Sequence, residues 1–296
     1  MRDSKAGAAA TMVCLWLAGC SHPARIVVGS KNFTEQVVLG EMLAQQIERR
    51  VGVPVERKLN LGGTLVAHEA LVKGEIDLYP EYTGTALTAI LKRAPAGSSA
   101  AAVLEQVRAA YRRQWHLEWL APLGFNNTFA MVVRGETARR GHLASLSDAA
   151  RAQAWRMGVG YEFQSRPDGL EGLVHRYGLR LDGLPAVMDL GLLYPALQGG
   201  KVDMVAANAT DGLISALDVK TLADDRGYFP PYECAVVARQ DTLARFPGLR
   251  AALEELSGKV TDDAMRRLNY QVDGKHRQPA DAAADALRAV NGRPGS

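Results

Sequence analysis

Apolar residues along the chain come in short blocks separated by glycine and polar turns, and the blocks alternate between two kinds. Residues 25–29 (RIVVG) form a β-branched run closed by glycine, as a buried strand does. Val37, Leu39, Met42, Leu43 and Ile47 then recur at helical spacing, with Ser30 or Thr34 placed to cap that helix. A strand is expected over 53–59. Gly62-Gly63-Thr64 opens a second helix through Leu65, Ala67, Leu71 and Val72, and 76–79 reads as a further strand running into a loop, 80–85. Strand and helix in alternation imply a parallel α/β sheet.

The pattern then repeats. A long helix is expected over 101–115, a strand over 119–122 and another over 130–133. A second α/β set runs from 155–160 to 203–207. Pro230-Pro231-Tyr232 precedes a strand at 235–238, and helices are expected over 241–256, 258–269 and 278–290. A weak internal echo relates the halves: Gly74-Glu75-Ile76-Asp77-Leu78 resembles Gly200-Lys201-Val202-Asp203-Met204, offset by 126. Continuing that offset sets Tyr82 opposite Asn208 and Thr85 opposite Asp211. Two such lobes would present loops from the carboxyl ends of their strands, where α/β proteins hold ligands, and a cleft would lie between them.

Composition narrows the class. The 296 residues, 47% hydrophobic and 23% charged, suit a globular protein of about two domains. A net charge of +3 is no footprint for nucleic acid, and three cysteines cannot build a disulfide scaffold. The start of the chain carries more information. Arg2 and Lys5 precede the uncharged stretch 6–19, whose 14 residues are too few for a span of about 20 but fit the apolar part of a secretory signal. It ends in LAGC (17–20), which resembles the bacterial lipobox. The expectation is a signal peptide over 1–19 and a lipidated Cys20, holding a soluble body to a membrane surface. Cys14 then leaves with the signal, and Cys234, in an apolar strand-like run, is expected as a buried structural thiol.

No phosphate-binding glycine motif, nucleophile elbow or metal-ligand spacing of His and Cys occurs, so no cofactor and no metal is expected. The paired carboxylates Asp224-Asp225 and Glu254-Glu255 read as solvated surface. The few aromatics are placed suggestively: Tyr82, Phe129 and Tyr232 all fall at strand–loop junctions.

Taken together, GSKNFTEQ (29–36), GEIDLYPEYTGT (74–85), GFNNTF (124–129), GYEFQSRPDGL (160–170), LQGGKVDMVAANATDG (197–212) and DDRGYFPPYECAVV (224–237) carry a family resemblance. Over residues 25–290 the chain resembles the substrate-binding proteins of osmoprotectant ABC importers, which capture glycine betaine, choline and carnitine. The resemblance implies the two-lobed α/β type II periplasmic-binding-protein fold, with residues 20–128 and 231–296 in one lobe, 129–230 in the other and two crossing strands between. It implies a monomer in the cell envelope, extracytoplasmic at the periplasmic face or the cell surface, served by a separate permease and ATPase and binding no nucleic acid. It implies an aromatic box at Tyr82, Phe129, Asn208 and Tyr232, and carboxylate partners in Arg166, Lys31 and Thr85. The chemistry is sound, because a quaternary ammonium has no N–H to donate and is held by aromatic faces, while a carboxylate suits arginine. Two departures stand out: Phe129 lacks the hydroxyl of the common tyrosine, and Asn208 replaces an aromatic wall. The second implies either weaker capture of plain glycine betaine or a ligand with an extra polar group beside the cation, such as carnitine or a trimethylated histidine like ergothioneine. A ligand-presenting receptor for a sensor is an alternative reading, as is an enzyme on the same scaffold.

Overall fold

In this computed structural model, residues 25–93 and 99–292 are described. The expected signal peptide and Cys20 lie outside them. Among the described residues, twelve strands build two five-stranded mixed sheets and one short ribbon. The first sheet has the order β2 (Val55–Lys58), β1 (Ile26–Gly29), β3 (Leu78–Tyr82), β12 (Glu233–Arg239), β4 (Leu117–Asn126). The second runs β11 (Val219–Leu222), β5 (Phe129–Arg134), β10 (Met204–Asn208), β7 (Met157–Val159), β9 (Ala186–Val187). β6 (Ala154–Trp155) and β8 (Arg180–Leu181) pair in parallel as the ribbon.

Each sheet is apolar on both faces, which is why its strands read as continuous apolar runs. Along β12, Cys234, Val236 and Ala238 enter the core beneath helices Thr34–Val51 and Leu249–Glu254, while Ala235 and Val237 enter the core beneath Thr64–Val72 and Ala100–Trp115. β10 divides the same way, Met204 and Ala206 to one core and Val205 and Ala207 to the other. Cys234 is a buried free thiol.

The chain passes from the first sheet to the second at Asn127-Thr128, between β4 and β5, and returns through 223–232 to β12. The two passages are stitched together: the Tyr232 N–H donates to Asn126 Oδ1 (2.6 Å) and the Asn127 N–H to the Tyr232 carbonyl (3.1 Å).

The echo between halves has a structural basis. Gly74 (φ +74°) and Gly200 (φ +67°) each leave a helix in the left-handed region that favours glycine. The aspartate three positions on, Asp77 or Asp203, then donates its N–H to the chain at the neighbouring parallel strand, at the Val27 and Arg156 carbonyls. The following strand enters the middle of its sheet and ends at Tyr82 in one half and Asn208 in the other.

Several local expectations are corrected. Neither Ser30 nor Thr34 caps the first helix, whose N-cap is Phe33; the Thr34 hydroxyl donates instead to Asp273 Oδ1 (2.6 Å). The helix expected over 241–256 is two helices, Gln240–Arg245 and Leu249–Glu254. Pro247 lacks the N–H a continuous helix needs, and Gly248 takes φ +91°. Asp224 is not solvated surface: it accepts from the Tyr177 hydroxyl and from the Tyr228 and Phe229 N–H groups (both 2.9 Å), shaping the return passage.

Candidate ligand-binding cleft

Between the two sheets lies a cavity of about 640 Å³. All seven residues singled out from the sequence line it: Lys31, Tyr82, Thr85 and Tyr232 from one side, Phe129, Arg166 and Asn208 from the other. Strand ends place the box positions. Tyr82 closes β3, opposite Cys234 in the register, so Tyr232 follows beside it. Phe129 opens β5 and is paired directly across the ladder with Asn208, the last residue of β10. Gly84 sits against the Tyr232 ring, where a Cβ would stand 2.6 Å from the ring Cδ1 and 2.7 Å from the Pro231 carbonyl.

The rings form two groups. Phe129 meets Tyr232 edge-on at 5.7 Å between centroids and Phe163 at 4.8 Å. Phe33 stacks on Tyr82 at 6.3 Å. Phe33 and Phe163 extend the aromatic lining beyond the residues read from the sequence. Two side chains of the protein already lie over these rings: the Arg166 guanidinium carbon is 5.0 Å from the Phe129 centroid, and Lys31 Nζ is 4.8 Å from that of Tyr82.

Both cations already have partners within the protein. Lys31 Nζ donates to Glu81 Oε1 at 2.6 Å, both side chains being buried. Arg166 turns its fork on Asp168, Nε to Oδ1 at 2.8 Å and Nη2 to Oδ2 at 2.6 Å. Its Nη1 donates to Thr85 Oγ1 at 3.1 Å and its Nη2 also to Thr88 Oγ1 at 3.3 Å. Asp168 additionally accepts from the Tyr232 hydroxyl and from Thr88 Oγ1 (2.8 Å). Burial pushes its carboxyl up, yet Arg166 and these hydroxyls hold it below the usual range. The Arg166 fork is therefore committed to Asp168.

Residues the sequence reading passed over tie the lobes together. Glu35, in helix Thr34–Val51, accepts from the Tyr82 hydroxyl (2.7 Å), Asn127 Nδ2 (2.9 Å), Thr210 Oγ1 (2.5 Å) and Asn269 Nδ2 (2.9 Å). Burial still raises its pKa above the ordinary value despite these four donors. Glu162 reaches across to the N-terminus of helix Thr64–Val72, taking the Thr64 N–H and its hydroxyl (2.9 Å). Gly63 leaves room for it, since a Cβ there would clash with Glu162 Oε1. Glu35, Glu162, Asp168 and Asp211 all stand in the segments quoted for the family resemblance, so the signal was present; their partners were not.

These segments can now be placed among known proteins. Residues 24–289 match the family model described as the substrate binding domain of the ABC-type glycine betaine transport system. The chain belongs to that family. Its members are transport binding proteins, not enzymes, and its two-lobed fold is that of the type II binding proteins. The chain is 31% identical over 291 residues to the carnitine transport binding protein OpuCC of Listeria monocytogenes, covering 94% of this chain and 92% of that protein. It is 34% identical over 267 residues to the ergothioneine transport permease/ergothioneine binding protein EgtU of Helicobacter pylori, covering 90% of this chain but only 47% of EgtU. The crystal structure of a glycine betaine/carnitine/choline ABC transporter superposes with a TM-score of 0.76 at 32% identity, over 90% of this chain and 98% of that one.

Proposed function

We propose that this chain is the extracytoplasmic solute-binding subunit of an ABC importer, and that it captures a quaternary-ammonium compound in the cleft between its lobes. The observation that carries this is the convergence of Tyr82, Phe129 and Tyr232, far apart in sequence, on one interlobe cavity of ligand size. Each ring holds the cation by about 0.5–2 kcal/mol, more as water is excluded. Lys31, Thr85 and Arg166 hold a ligand carboxylate as single donors, since the arginine fork is committed to Asp168. Asn208 leaves one wall of the box polar, which favours a ligand bearing a further polar group, such as carnitine or ergothioneine, over plain glycine betaine. The moving bodies are 20–128 with 231–296, and 129–230, hinged at the two stitched passages.

A separate permease and ATPase complete the importer, and the protein works as a monomer, anchored by lipid on Cys20. Labelled palmitate incorporated by the wild-type chain and not by Cys20→Ala would support the anchor; equal labelling would remove it. The binding reading is tested by scanning fluorimetry and titration of the full chain with glycine betaine, choline, carnitine and ergothioneine. At least one should raise the melting midpoint, and Tyr82→Ala and Tyr232→Ala should each weaken it more than about tenfold. A flat panel, or unchanged affinity in both variants, would sink the proposal.

A further inference from the structure

The wall of the cavity beside Asn208 is crowded with hydrogen-bond acceptors and short of donors. Asp211 Oδ2 takes the Asn208 N–H (3.0 Å) and the Tyr194 hydroxyl (3.2 Å), while Oδ1 has no donor among the described residues. Asp273 Oδ1 takes the Thr34 hydroxyl and its Oδ2 has no donor there either. Asn269, only 2% exposed, spends both amide hydrogens on Glu35 and the Thr210 carbonyl, which leaves its Oδ1 buried and without a partner. Asn208, Asp211, Asn269 and Asp273 all line the cavity. The nearby cation, Arg266, is engaged with Asp263 and the Ala209 carbonyl.

Buried polar atoms in folded proteins are almost always satisfied, so the buried, unpartnered Asn269 Oδ1, in a cavity wall that also carries the part-exposed Asp211 carboxylate, asks for a donor from elsewhere. A quaternary ammonium offers none. Resting on the function proposed above, we infer that the ligand carries a hydrogen-bond donor, an O–H or ring N–H, close to its quaternary nitrogen, and that Asp211 is the acceptor that selects it. Asp211 is set for this by its backbone, because the tight turn from Asn208 fixes its carboxylate against the end of β10. Burial, reinforced by the Glu35 charge and opposed by the Asn208 N–H, pushes its pKa up to about 7, as expected of a carboxylate with too few donors.

The test uses two ligand pairs that differ in the donor. One is choline and its O-methyl ether. The other is trimethylated histidine and trimethylated phenylalanine. With the full-length chain, calorimetric titration should show the donor-bearing member binding about tenfold more tightly or better in whichever pair binds. Asp211→Asn should narrow that gap to about threefold or less. Equal affinities within a pair, or a gap untouched in Asp211→Asn, would overturn the inference. So would binding of glycine betaine with rejection of both donor ligands, an outcome that leaves the transport reading standing. If no quaternary ammonium binds, the transport reading itself fails. The pair comparison on the wild-type protein needs no variant, so it decides even if Asp211→Asn does not fold.

Discussion

Asp211 shows how one carboxyl couples the cleft to pH. Its folded pKa, about 7, lies well above the ordinary 3.8. The folded state therefore holds this proton more tightly than the unfolded chain does. Stability from that difference is complete below about pH 4 and is lost as pH rises through about 7. Glu35, raised by burial, acts in the same direction. His68, lowered by burial, acts against them, while Asp203, brought down to about 2 by Arg156 and Arg134, changes only in stronger acid. Because His68 opposes the trend, the informative quantity is a difference. Between pH 5 and 7.5 the melting midpoint of wild type, followed without ligand, should fall relative to that of Asp211→Asn. Parallel curves would show that Asp211 does not titrate there. A bound cation favours the carboxylate, so saturating choline should flatten the difference.

At the level of elements, the strands were legible and the partners were not. Continuous apolar runs over 25–29 and around Val236 read as strands covered on both faces, and that is what they are. Boundaries drifted where local chemistry was discounted, as at Pro247-Gly248. β4 runs on to Asn126, well past the expected 122, because it pairs with β12 up to Glu233 and so carries the chain to the crossing. The positions expected for the box were legible as cavity-lining residues, because each lies at or next to a strand end, where side chains meet the cleft. The acceptor cluster was not, because its bonds join distant residues: Glu35 meets Thr210 at a separation of 175 positions and Asn269 at 234. Arg166 illustrates the same limit. The resemblance implied a ligand carboxylate as its partner, and within the protein its fork also meets the carboxylate of Asp168, two residues on.

On the scale of the whole molecule, several hydrogen-bonded contacts among the described residues join the lobes, and burial ranks three of them. The Arg166–Asp168 pair is nearly solvent-free, with side-chain exposures of 7% and 0%, and is bonded to Thr85, Thr88 and Tyr232 of the facing lobe. Removing one partner would leave a buried charge uncompensated, at about 3–5 kcal/mol. The Glu35 knot to Thr210 and Asn269 is equally enclosed. Glu162 differs: its side chain is 43% exposed, so its bond to the start of helix Thr64–Val72 is worth about 1 kcal/mol after solvent screening. It is therefore the contact that can yield when the cleft opens. Glu162→Ala should leave the melting midpoint nearly unchanged, yet increase the radius of gyration of the chain in solution scattering without ligand. Asp168→Asn should lower the midpoint by several degrees, because about 3 kcal/mol corresponds to that much in a protein of this size. If Glu162→Ala leaves the scattering profile unchanged, the exposed contact does not gate the cleft, and opening must instead await disruption of the buried pair.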